Sequence, residues 1–123
     1  MKVLTKLMQA ELLRQHEASV KDWHYRAGKA TVVAKLYDPA TGASWYVFEG
    51  YPAEDGFRMY CYADSGSCGE YQYEYLTIAD LYDTSIKRDA QYTPEKVAEL
   101  ERRLVAAKPK SMEWDWKMKI ARV

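Results

Sequence analysis

The chain has 123 residues, of which 48 % are hydrophobic and 29 % charged; it supports one domain with one hydrophobic core and excludes wholesale disorder. No stretch reaches the roughly 18 to 20 apolar residues of a spanning helix, and Lys6 interrupts the apolar run Val3 to Met8, so neither a membrane span nor a secretory signal is expected. Eighteen basic residues balance eighteen acidic ones, but unevenly along the chain.

Residues 1–35 carry net +4 and residues 84–123 net +4, whereas residues 36–83 carry nine acids against Arg58 alone, net −8. Two readings stay open: the segments pack together and neutralise one another, or the middle forms an acidic surface that steers a basic partner. Cys61 and Cys68 are the only cysteines and are expected as free thiols of a cytoplasmic protein. His16 and His24 stand at no metal-ligand spacing with them, so no metal and no cofactor are expected.

Residues 2–18 read as a helix with Leu4, Leu7, Met8 and Leu12 on one face. Asp22 to Lys29 reads as a polar connection, Thr31 to Tyr37 as a strand, and Asp38-Pro39-Ala40-Thr41-Gly42 as a turn. Strands follow at Ser44 to Glu49, Phe57 to Ala63 and Tyr71 to Leu76, an antiparallel meander with Glu54-Asp55-Gly56 as hairpin turn and Asp64 to Gly69 as loop. Thr77 is placed to cap a short helix through Leu81 and Tyr82, and residues 86–92 could add a short strand.

Thr93-Pro94-Glu95 opens a helix over 94–107, with Val97, Leu100 and Leu104 as its apolar stripe and a Glu99–Arg103 pair one turn apart. Beyond Pro109, Met112, Trp114, Trp116, Met118 and Ile120 alternate with Glu113, Asp115, Lys117 and Lys119, the period of a half-buried strand. The expected fold is therefore α+β: a four- to five-stranded antiparallel meander with an N-terminal and a C-terminal helix packed on it, plus a C-terminal strand. Leu4, Leu7, Val32, Phe57, Met59, Leu100 and Leu104 are expected in one core.

Little in the sequence reads as catalytic. Gly66 and Gly69 do not precede a helix as a phosphate loop does, and neither histidine has an evident Cys or Ser partner, so no enzyme is expected. Nine of the eleven tyrosines lie in the acidic middle. Phe57, Met59, Cys61 and Ala63 share one strand face, while Arg58, Tyr60, Tyr62 and Asp64 share the other, either as a recognition surface or as a second buried face under a helix. Glu49, Glu54, Asp55, Arg58, Tyr60, Tyr62, Glu70 and Glu74 are the candidate partner-binding residues. Aromatic rings among nine acids would repel phosphate, which disfavours nucleic acid on this face.

Several segments together carry a family resemblance: Lys35-Leu36-Tyr37-Asp38-Pro39, Trp45-Tyr46 with Glu49, Glu54-Asp55-Gly56 before an aromatic strand, Tyr75-Leu76-Thr77-Ile78-Ala79-Asp80-Leu81, and Ile86-Lys87-Arg88-Asp89. From Val32 to Tyr92 the chain resembles a family of small bacterial domains of unknown function, frequent on plasmids, conjugative elements and phages. Glu74 stands where that family usually has glycine. The resemblance implies a mobile-element setting and no chemistry. Small proteins of that setting often counter host defences, as anti-CRISPR or antirestriction proteins do. The expected role is thus a non-catalytic accessory that binds a protein, such as a defence nuclease with a basic groove. The alternatives are an accessory of plasmid maintenance or transfer, or a nucleic-acid binder acting through the basic terminal segments.

Overall fold

The structure, a computed structural model, describes residues 4–54, 56–65, 71–81 and 84–106. Helix α1 spans Lys6–Lys21, opened by the Thr5 hydroxyl, which accepts the Met8 N–H at 3.1 Å. That start sets the buried stripe. Leu12, Gln15 and Ser19 face inward with Met8 partly buried, whereas Leu7 is turned away and 84 % exposed. Leu7 is therefore not a core residue, and Leu4 is buried ahead of the helix rather than within it. The segment read as a polar connection holds a second short helix, α2, at His24–Gly28.

The strands are β1 (Ala34–Tyr37), β2 (Ser44–Ala53), β3 (Gly56–Asp64), β4 (Tyr71–Thr77) and β5 (Lys87–Arg88), in the sheet order β4-β3-β2-β1-β5. Every pairing is antiparallel. β1 to β4 form the meander, and β5 is only two residues of the expected 86–92, paired Leu36↔Arg88 and Tyr37↔Lys87. Gly56 opens β3 at φ 108°, a left-handed value that suits glycine at the hairpin turn. Thr77 and Asp80 exchange backbone N–H and side-chain oxygen bonds at 2.9 and 3.2 Å, which opens the 3-10 turn Ile78–Leu81 at the expected residue.

Helix α3 is described over Val97–Ala106 and begins at Val97 rather than at Pro94. The reason is a backbone tie: Thr31 bridges Lys96, Val32 N–H donates to Glu95 O, and Val97 N–H donates to Ala30 O. These bonds hold residues 95 and 96 alongside 30–32 as an isolated bridge, so the helix starts only at Val97. Arg103 pairs with Glu95 at 2.6 Å instead of with Glu99, and the Tyr92 hydroxyl donates to the same Glu95 carboxylate. The expected strand at 112–120, with Trp114 and Trp116, lies outside the described residues.

Among the described residues the core is two clusters, one on each sheet face. On the α1 side Leu4, Leu12, Leu36, Val47, Phe57, Met59 and Cys61 pack together; on the α3 side Val32, Tyr46, Phe48, Tyr62, Leu100 and Leu104 do. The single core expected from the sequence is thus divided. Strand β3 accounts for this, because it is apolar on one face and aromatic on the other, and each face is covered by a helix. Gly50 faces the α1 side, where an added Cβ would come within 2.4 and 2.7 Å of the Phe57 ring and 3.2 Å of the Arg58 carbonyl. Gly50→Ala is expected to destabilise by about 1 to 3 kcal/mol in urea unfolding, as overpacked core sites do; an unchanged midpoint would show that the ring yields freely.

Candidate interaction site

Of the eight residues singled out in the sequence, the six that the structure describes do not form one surface. A bulge between Val47 and Glu49 puts Phe48 and Glu49 together on the tyrosine face, opposite Tyr60. There Glu49 is fully buried and unavailable to a partner. Tyr62 is also buried, at 8 % exposure, under the α3 cluster. Tyr60 is half-buried and Glu74 faces the opposite, α1 side, beside Cys61 and Trp45. Glu54 is exposed at the β2–β3 hairpin, the far end of the sheet from the Ser44–Asp64 pair, a separation of roughly 30 Å along the strands. Arg58 lies on β3 between Tyr51 and Thr77, and Asp55 and Glu70 lie outside the described residues. The acids and tyrosines are therefore spread over two faces and both ends of the sheet.

What holds Glu49 is a cluster the sequence did not announce. Arg26 of α2 grips its carboxylate with a two-pronged guanidinium contact, Nε at 2.5 Å and Nη2 at 2.9 Å, and His16 Nδ1 lies 3.3 Å away. The Glu49 hydrogen bond raises the Arg26 pKa, so the guanidinium stays charged. His16 stacks on Tyr51 at 4.5 Å, and the Arg26 guanidinium sits 4.5 Å from the centre of the Tyr60 ring. His16 is thus half-buried, held between Glu49 and Tyr51. Burial pushes the Tyr60 and Tyr62 phenols upward in pKa, Tyr60 against the lowering influence of Arg26, so both remain neutral hydrogen-bonding groups. Cys61 is buried, and desolvation pushes its thiol far above the usual range, which leaves it unreactive.

An acidic aromatic cleft does exist, at the other end of the sheet. A cavity of about 650 Å³ is lined by Asp38, Trp45, Asp64, Tyr71 and Glu74, with Thr41, Ala43, Ala63, Ser65 and Gln72 completing its described walls. No lysine or arginine is among them. Its parts are set in place by their elements. The Asp38 side chain closes the turn before β2 by accepting Ala40 N–H at 2.9 Å and the Ser85 hydroxyl at 2.5 Å. The Ser85 bond, then that of Ala40, lowers the Asp38 pKa, so it is ionised at neutral pH. Trp45 Nε1 donates to Glu74 Oε1 at 2.7 Å and Gln72 Nε2 to Glu74 Oε2 at 3.2 Å, which fixes the Glu74 carboxylate between β2 and β4.

Among the described residues chosen from sequence, only Glu74 lines this cleft. Asp38, Trp45, Asp64 and Tyr71 were missed as a group. Asp38 and Trp45 stood in the resemblance-bearing segments, and the pairings Ser44↔Asp64 and Asp64↔Tyr71 bring the remaining two beside them. Among the described residues no group of three or more His, Cys, Asp or Glu is arranged to hold a metal ion, and no helix is long and apolar enough to cross a membrane. No family model, no curated protein and no solved structure matches the chain.

Proposed function

We propose that this is a non-catalytic binding protein that receives a basic segment of a partner protein in the Asp38–Trp45–Glu74 cleft. The observation that supports this reading is the described lining: three carboxylates and two aromatic rings, with no lysine or arginine among the described residues. A guanidinium can lie flat on Trp45 or Tyr71 while its N–H groups meet carboxylate oxygens, combining cation–π and charge-assisted bonds. Glu74 is already held by Trp45 and Gln72, so little side-chain freedom is lost on binding. The volume suits one or two side chains.

The mobile-element resemblance gives the partner a class. A cleft of this chemistry competes with phosphate for the basic groove of a nuclease, which is the proposed anti-defence role; an accessory of plasmid maintenance or transfer would use the same cleft on a different basic protein. Titration of the full chain with an arginine-rich nonapeptide, followed at the Trp45 indole N–H resonance by NMR, tests the reading. The resonance is expected to move saturably, less for a lysine peptide, with affinity falling as salt rises. The pair Asp64→Asn and Glu74→Gln together is expected to weaken binding by roughly tenfold. A resonance that stays fixed, or that moves instead with a duplex oligonucleotide, would overturn it.

A further inference from the structure

We infer that the segment Met112–Ile120 docks along the outer edge of β4, laying its apolar face over Tyr73 and Tyr75. This goes beyond the cleft reading and does not depend on it. Among the described strands β4 pairs with β3 alone, so its seven residues form a sheet edge. On the α3 side of that edge Tyr73 is 41 % and Tyr75 is 56 % exposed, an aromatic surface that α3 leaves uncovered. Both rings pack on Tyr60, Tyr73 stacked at 5.6 Å and Tyr75 tilted at 4.8 Å, so they form a fixed platform.

The chain arrives close to this platform. Glu101 of α3 lines a cleft of about 380 Å³ with Trp23, Arg26, Tyr60 and Tyr73, and residues 107–123 follow the end of that helix. Residues 107–111 can span roughly 17 Å when extended, and the nine alternating positions 112–120 roughly 30 Å, enough to run the length of β4. Strand periodicity supplies the match in chemistry. A register with Trp114, Trp116 and Met118 on the tyrosine side keeps Glu113, Asp115, Lys117 and Lys119 on the other, and a slip by one residue would put charges on the rings. Aromatic and sulfur-bearing side chains are good neighbours for tyrosine rings.

Residue-resolved amide exchange on the full chain decides this. In an edge strand, alternate amides point away from the sheet and exchange quickly; with a strand docked outside, both sets are slow. Both sets within Gln72–Thr77 are expected to be slow, with nuclear Overhauser contacts between the Trp116 ring and Tyr73 or Tyr75. The double variant Trp116→Ala and Met118→Ala should accelerate the outward set by at least about tenfold while the β3-bonded set stays slow. Alternating fast and slow amides in the unaltered chain would overturn the inference. So would protection that grows with protein concentration and ignores the double variant, which would assign the edge to a second copy. If the double variant loses both sets through unfolding, the ring-to-ring contacts in the unaltered chain decide: their presence supports docking and their absence overturns it.

Discussion

Replacing Arg26 by alanine is expected to destabilise the protein by about 2 to 4 kcal/mol, measured by urea unfolding. The change leaves the Glu49 carboxylate fully buried on the tyrosine face with His16 Nδ1, at 3.3 Å, as its remaining side-chain contact among the described residues. Removing one partner of a buried ion pair typically costs about 3 to 5 kcal/mol; the side chain of Arg26 is 40 % exposed, so water entering its place reduces the penalty. The two sides of the pair should behave unequally. Glu49→Gln removes the buried charge while Arg26 can turn to solvent, and should cost only about 1 kcal/mol. Equal losses for the two variants would mean that Glu49 is not carrying a buried charge.

Gln15→Leu should be of comparable severity, about 3 to 5 kcal/mol, although glutamine on a helix usually reads as a surface residue. Its amide is fully buried and fills a gap in the sheet. β1 pairs with β2 only from Ala34 onward, and ahead of it Gln15 Oε1 accepts Thr31 N–H at 2.7 Å while Nε2 donates to Thr31 O and Phe48 O, each at 2.8 Å. Leucine keeps the volume and leaves three backbone groups without their partner, Phe48 O among them in a buried position. Gln15→Glu should fare no better, since it sets a carboxylate against two carbonyls. The exposed pair Glu11–Arg14 on the same helix gives the comparison: Glu11→Ala should lie within about 1 kcal/mol of the parent. A loss below that level for Gln15→Leu would show that the gap in the ladder closes by other means.

These two sites show where sequence reasoning stops. The meander was legible because its signals are local: Asp38 to Gly42 and Glu54 to Gly56 are turn chemistry, and neighbouring strands in the chain are neighbours in the sheet. Thr77 was legible for the same reason, its partner being three residues away. Glu49 was not. Alternation places it with Trp45 and Val47, and the bulge after Val47 moves it to the other face, where its partner comes from a helix more than twenty residues earlier. The tyrosines were ambiguous because burial depends on where α3 lies: it covers Tyr46 and Tyr62 but not Tyr73 and Tyr75. The cleft was invisible as a unit, since Asp38, Trp45, Asp64 and Glu74 meet only once three strands are in register.

Recovery of a partner from bacterial host extract tests the central claim most directly, with three proteins compared at equal concentration and equal folded fraction. The unaltered chain and Glu54→Gln, whose change lies at the far hairpin, should recover the same basic protein, while Asp64→Asn with Glu74→Gln should lose most of it, the more so as salt is raised. Equal recovery by all three, or a loss confined to Glu54→Gln, would contradict a binding site in the acidic cleft.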